Sequence, residues 1–330
     1  MEDRKTDHIQ LAQASQISTD IQDHRFTYEP VFGHLDLSKV DISREFAGFQ
    51  LAAPLWVSSM TGGTKKAGEL NRLLAQTCHE FKLGMGLGSC RSLLDSNKHF
   101  HDFDLRSILG KDRPFFMNFG IAQIEQLIDA GALDKIAELN ERLQTNGLFI
   151  HLNPMQEWYQ PEGDQIKRPI IDTVQQAVEQ LKLPIAIKEV GQGLGPKSLD
   201  ALMRLPLWCI EFGAFGGTNF SMLENKRSND PLDPAFCYIG QSAAEMVNDI
   251  NLLCKKHKDE YKCLNFIVSG GIKSFLDGHY LLEQLECQGI VGHASAFLGP
   301  ASNGIESLRN FTSAQIEGLK MAKLFLELKS

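Results

Sequence analysis

Apolar runs of three to five residues recur along the chain, each closing on a polar or glycine-rich cluster, and helical periodicity follows most of them. Residues 55–59 lead into MTGG and then a helix expected over 65–81, and residues 83–87 close on GSCR. Residues 114–117 close on NFG, with helical material to about 145, and 147–150 run into HLNPMQEWYQPEGD ahead of a helix over 170–181. Residues 184–187 end in KEVGQG with a helix over 197–204, and 207–210 end in EFGAFGGTNF, a long loop and a helix over 242–257. Residues 264–268 end in SGG with a helix over 275–285, and 289–291 end in GHAS before the terminal helices. Ahead of this series, residues 1–14 predict a short helix, and 28–51 predict short extended pieces punctuated by Asp36, Asp41 and Gly48.

The expected strands are near-continuous apolar runs without clean alternation, as strands covered on both faces should be. Eight β-α units over about 275 residues match an α/β fold of the (β/α)8 TIM barrel type. A doubly wound open sheet is the alternative. The barrel is favoured because every polar cluster falls at the carboxyl end of a strand, where such barrels build their sites. Residues 1–51 are then an N-terminal arm with short extended segments packing on a barrel of residues 52–330, one structural domain in all.

Composition narrows the picture. Of 330 residues, 43% are apolar and 22% charged, the values of an ordered globular chain. A net charge of −8 offers no broad basic field, so neither nucleic acid nor a membrane surface is an expected partner. Any small anionic ligand must be held by local cations. No apolar run is long enough to span a bilayer, and the start, MEDRKTDHIQ, is polar, so a cytoplasmic protein is expected. Seven cysteines without C-x-x-C spacing read as reduced thiols, not a zinc site or a disulfide framework.

Candidate chemistry lies at the strand ends. Glycine pairs stand at 62–63, 216–217 and 270–271, where bare backbone N–H groups can cradle phosphate. In barrels the loops after the last two strands often do so, here Ser269–Gly270–Gly271 and residues 292–295. No G-x-G-x-x-G follows an N-terminal strand and no G-K-[ST] occurs, which disfavours nicotinamide and nucleoside-triphosphate folds. Lys188 closes an apolar strand and is costly to bury without an anion or a chemical task. It could form a Schiff base, sit beside an anionic cofactor ring, or pair with Glu189 or Glu211. In the loop 151–164, two prolines and a glycine are expected to keep the chain out of helix. There one or two carboxylates among Glu157, Glu162 and Asp164 would suffice for Mg²⁺ if phosphate oxygens complete its shell. Glu162 and Asp164, within PEGD, read as turn residues. His151 is either a satisfied core histidine or a site residue, Ser89 and Asn118 are uncharged strand-end donors, and Arg4, Lys5 and His8 form a solvated basic face.

Taken together, the motifs resemble the type 2, flavin-dependent isopentenyl diphosphate isomerases. The stretches that carry the resemblance are RKTDH, VDIS, SSMTGG, GSCR, NFG, HLNPMQE with PEGD, KEVGQG, GGT and SGGI, in family order and almost from end to end. The resemblance implies FMN held by Met60, Thr61, Gly62, Ser89, Asn118, Lys188, Thr218, Gly270, Gly271, Ala294 and Ser295. It implies a diphosphate substrate met by Arg4, Lys5, His8, Arg91, His151 and Asn153, with Gln156 at the alkene carbons and Glu157 holding Mg²⁺. His151 and Lys188 join Gln156 as implied catalytic residues. The implied reaction is a 1,3-proton shift between isopentenyl and dimethylallyl diphosphate, with NADPH serving only to reduce the flavin. A homo-oligomer, tetramer or octamer, is also implied. Cys90 stands where the family usually shows glutamine, EFGAFGGT replaces D-V-A-G-x-GGT, and residues 133–145 read as added helix. Rival readings are an FMN barrel oxidising 2-hydroxy acids, which would need an H-G-x-R element, a Schiff-base aldolase, and a non-catalytic flavin-binding barrel.

Overall fold

The computed structural model describes residues 2–59 and 62–329.

 The chain begins with helix α1 (Glu2–Leu11), followed by strand β1 (Phe26–Tyr28) and the hairpin β2 (Arg44–Phe46) and β3 (Phe49–Leu51). The hairpin turns at Ala47 and Gly48, both at positive φ. The first barrel unit is β4 (Leu55–Val57) with α2 (Lys65–Phe81), and the second is β5 (Gly84–Gly86) with the short α3 (Arg106–Leu109). Then come β6 (Phe115–Gly120) with α4 (Ile121–Asp129) and α5 (Asp134–Leu143), and β7 (Gly147–Leu152) with α6 (Pro154–Tyr159) and α7 (Ile170–Gln180). Next are β8 (Ile185–Glu189) with α8 (Pro196–Met203), and β9 (Cys209–Glu211) with α9 (Phe220–Arg227) and α10 (Ala243–His257). Finally β10 (Asn265–Ser269) precedes α11 (Phe275–Gln284), and β11 (Gln288–His293) precedes α12 (Ser295–Ser302), α13 (Ile305–Phe325) and strand β12 (Leu326–Leu328).

Strands β4 to β11 pair in parallel and in sequence order, and β11 closes on β4 to complete an eight-stranded barrel. The (β/α)8 architecture expected from the repeating pattern is therefore present. Side chains alternate across each strand, so every second residue shares the inward face. One inward layer is apolar and fully buried: Trp56, Phe116, Phe149, Ala186, Cys209, Ile267 and Ile290. Phe46 and Leu51 of the hairpin join this cluster, and Ala47 accepts the Trp208 indole N–H at 3.0 Å, so the β2–β3 hairpin covers one end of the barrel.

Two residues further along each strand the inward face changes character. There stand Ser58, Gly86, Asn118, His151, Lys188, Glu211, Ser269 and Gly292. A layer of apolar side chains thus supports a layer of polar ones at the carboxyl ends, and at Gly86 and Gly292 the Ser59 and Ser58 hydroxyls crowd the place a Cβ would take. The outward faces pack under the helices in a second apolar cluster that includes Leu55, Val57, Met117, Ile150, Ile187 and Val268.

Three local expectations are corrected. The loop 151–164 contains a helix, α6, because Pro154 occupies its first turn, where a missing N–H costs nothing and a fixed φ is favourable. The long loop after β9 contains α9, capped by the Asn219 side chain accepting the Met222 N–H at 2.9 Å. The chain end forms β12, which pairs antiparallel with β1, a contact between segments about 300 residues apart that no local pattern announces. Among the described residues no helix is long and apolar enough to cross a membrane.

Candidate active site at the carboxyl ends of the strands

A cavity of about 370 Å³ opens over the polar layer. Its wall brings together Ser58, Ser59, Lys188, Glu211, Thr218, Ser269, Gly270, Gly271, Lys273, Ala294 and Ser295. Four buried polar atoms of its lining residues, Ser58 Oγ, Ser59 Oγ, Glu211 Oε2 and His293 Nε2, have no hydrogen-bond partner among the described residues. Buried polar groups are normally paired, so a cluster of unpaired ones around one cavity marks a place where a ligand completes them.

One side of the cavity is backbone. Gly270 and Gly271 both take positive φ (88° and 72°), and a Cβ on Gly270 would lie 2.2 Å from the Ala214 carbonyl oxygen. The Gly216–Gly217 pair packs against them, since a Cβ on Gly217 would meet the Gly271 nitrogen at 3.1 Å. Two glycine turns therefore present bare backbone to the same space. Beside them α12 begins at Ser295, and the first N–H groups of a helix lack intrahelical partners. Glycine turns, a helix N-terminus and the cations Lys188 and Lys273 together suit a phosphate.

Lys188 is buried at the end of β8, and its Nζ donates to the Glu189 carbonyl at 2.8 Å. Among the described residues it takes part in no ion pair, so neither Glu189 nor Glu211 neutralises it in the bland way that the sequence left open. The Glu189 carboxylate faces outward from the barrel, where Oε2 accepts the N–H groups of Gly191, Gln192 and Gly193. Burial nevertheless pushes its pKa up.

His151 neighbours Lys188 across the β7–β8 ladder, and its Nδ1–H donates to Asn118 Oδ1 at 3.0 Å. This bond leaves Nε2 as an acceptor. Burial, followed by the Lys188 charge, pushes its pKa down to about 3. The ligand-free protein should therefore show no His151 titration by NMR between pH 5 and 9; a midpoint near 6.5 would contradict the arrangement. Because the ring protonates more readily in the unfolded chain, its stabilising contribution is whole above about pH 6.5 and fades toward pH 3.

A second cluster forms on α6. Asn153 Nδ2 donates to Glu157 Oε1 at 2.8 Å and to Gln156 Oε1 at 3.4 Å, while Glu157 Oε2 accepts the Asp164 N–H at 2.7 Å. Asn153 Oδ1 is buried without a partner. Asp164 in turn holds Arg91 at 2.5 Å, Gln123 at 2.9 Å and Gln126 at 3.1 Å. Burial opposes ionisation of Asp164, but hydrogen bonds and the Arg91 charge keep its pKa below the usual range. Glu162 pairs with Arg227 of α9. Both PEGD acids thus brace the loop, as their reading as turn residues anticipates, and Glu157 keeps lone pairs to spare. Among the described residues no group of three or more acidic, histidine or cysteine side chains could hold a metal by itself.

The remaining expected site residues are dispersed. Met60 and Thr61 lie outside the described residues. Gly62 is pressed against the Phe103 ring, which a Cβ would meet at 2.2 Å. Ser89 is exposed, and its Oγ accepts the Arg91 N–H at 3.5 Å. Arg4, Lys5 and His8 are exposed on α1 and line neither this cavity nor the second one, of about 530 Å³, behind α6. Cys90 faces the interior, its thiol pushed up to about 12 by burial, so it does not take up the position of a ligand contact. Lys273 was not singled out from the sequence; Ser58 and Ser59 entered only within the SSMTGG stretch, Glu211 only as a possible ion-pair partner of Lys188, and Ser269 only as the start of a glycine turn. The signal for Ser58, Glu211 and Ser269 was available: each stands two residues beyond an inward apolar position.

Fold and site define a (β/α)8 barrel with a phosphate-ready cavity at the carboxyl ends of its strands. No family model matches the chain. It is 31% identical to the isopentenyl-diphosphate delta-isomerase of Pseudescherichia vulneris, over 97% of this chain and 91% of that protein. Against the protein of the same name from Vibrio parahaemolyticus it is 32% identical, over 81% of this chain and 76% of the other. The chain belongs to the isopentenyl-diphosphate delta-isomerase family and is an enzyme of that kind. Among solved structures it is similar in fold to the flavin-binding domain of baker's yeast flavocytochrome b2, with a TM-score of 0.62 at 14% identity, covering 91% of this chain and 71% of that one. A mandelate oxidase mutant with the monooxide FMN adduct gives a TM-score of 0.59 at 14% identity, covering 93% and 88%.

Proposed function

We propose that this isomerase interconverts isopentenyl and dimethylallyl diphosphate in the cytoplasm with reduced FMN in the cavity of about 370 Å³, using Mg²⁺ on the substrate and NADPH as the flavin's reductant. The observation that carries the reading is the coincidence of unpaired buried donors, two glycine turns and a helix start around one space. Ser58 and Ser59 offer hydroxyls to the ring's heteroatoms, Gly270, Gly271, Ala294 and Ser295 offer backbone to its phosphate, and Lys188 faces the ring with positive charge. When bound, reduced FMN supplies an electron-rich ring and an acid–base nitrogen, N5.

The chain's own residues then position the substrate. An isolated alkene is a feeble base, so the site must fix it in place and exclude water while charge develops. Arg91 uses one guanidinium nitrogen on Asp164 and keeps other N–H groups for the diphosphate. His151 presents a neutral Nε2, and Asn153 positions Gln156 and Glu157 on α6. Gln156 approaches the alkene carbons, while Glu157 gives Mg²⁺ the one carboxylate it needs beside phosphate oxygens. Arg4, Lys5 and His8 supply further cations from the exposed arm. Exposed apolar side chains such as Val31, Phe32 and Trp158 support a homo-oligomer, tetramer or octamer, which sedimentation would measure.

The deciding experiment is an anaerobic assay with FMN, Mg²⁺ and NADPH. Conversion of isopentenyl diphosphate is expected only when the flavin is reduced. Absence of both flavin binding and conversion would overturn the proposal.

A further inference from the structure

Glu211 ends β9 on the inward polar layer and is 1% exposed. The residue belongs to the cavity wall, and its buried Oε2 has no hydrogen-bond partner among the described residues. Across the β8–β9 ladder its register partner is Lys188, which is itself buried, and no ion pair between the two is formed among the described residues. A buried carboxylate with a free oxygen is costly to the fold, and an apolar side chain would continue the layer below it, where Cys209 stands. The packing of the barrel does not account for it.

We propose that Glu211 places a negative charge beside the cofactor opposite the positive charge of Lys188, so that the two together set how strongly the site prefers reduced over oxidised flavin. This rests on the FMN reading above. The positive charge of Lys188 favours the electron-rich reduced ring, and the carboxylate of Glu211 opposes it. Both side chains are buried, and charges interact more strongly there than in water.

The test is the midpoint potential of FMN bound to the purified enzyme. Glu211→Gln keeps the shape and removes the charge. It is expected to favour reduced over oxidised FMN by about tenfold relative to wild type, a rise of about 30 mV for a two-electron couple. Lys188→Met is expected to move the potential the other way, and Glu211→Asp to keep it near the wild-type value. The apoprotein of Glu211→Gln should melt no lower than wild type, because an unpaired buried charge has been removed; a merely structural role predicts a lower melting temperature. An unchanged potential in a Glu211→Gln protein that binds FMN overturns the role of Glu211 alone. A wild-type enzyme that binds no FMN overturns the flavin reading and this inference with it.

Discussion

Gly270→Ala is expected to lower the melting temperature of the apoprotein by roughly 5–15 °C and to weaken FMN binding at least about tenfold. The new Cβ would stand 2.2 Å from the Ala214 carbonyl oxygen and 2.3 Å from its nitrogen, both backbone atoms of the neighbouring loop that cannot turn aside. Gly270 also sits at φ 88°, where an L side chain adds strain of about 1–2 kcal/mol, and overpacking adds about 1–3 kcal/mol. A domain of ordinary stability loses much of its margin this way. The loop can relax only by moving away from Ala214, which also displaces the backbone offered to the phosphate. Gly299→Ala, at a position with nothing within 4 Å of the new atom, is the control and should melt close to wild type. Equal melting curves and equal FMN affinity for Gly270→Ala would refute the close contact.

Glu157→Gln is expected to cut Mg²⁺ affinity in the presence of substrate by more than about 100-fold while FMN stays bound. Changes to the outer partners of a metal typically cost about 10–100-fold, and removing the carboxylate itself should exceed that. The variant also disturbs the loop, since both carboxylate oxygens now accept: one from Asn153 Nδ2, the other from the Asp164 N–H. An amide nitrogen at either position faces another donor, a loss of about 1–3 kcal/mol. FMN should be spared because Glu157 does not line the cavity assigned to it. Titration of Mg²⁺ with substrate, alongside the flavin absorbance of the same sample, separates these effects. Loss of FMN with unchanged Mg²⁺ dependence would reverse the assignment.

Much of this architecture was legible in the order of residues. The α2 helix falls on the residues its periodicity marks, Lys65–Phe81, because an amphipathic stretch of that length specifies its own buried face. The eight strands were visible as short apolar runs, with ends displaced by at most three residues from those observed. By contrast α6, with six residues, is too short to show a period, and its two prolines look like breakers until Pro154 is seen in the first turn. The isolated reading of Lys188 also left three partners open. Only the fold shows that its ammonium meets the Glu189 carbonyl and no carboxylate.

By itself the sequence determined the alternation of strand and helix, the family to which the motifs belong and the places where glycine turns interrupt the strands. These depend on local periodicity and on residue types, which are written in order along the chain. Tertiary structure alone decided which polar side chains share a space. Ser58, Lys188, Glu211 and Ser269 are separated by as many as 211 positions yet stand in one layer, because barrel closure brings β11 against β4 and aligns the inward faces. The missing hydrogen bonds of Ser58 and Glu211 depend on that closure too: an unsatisfied carboxylate is a property of its surroundings, and the surroundings exist only once the strands have met.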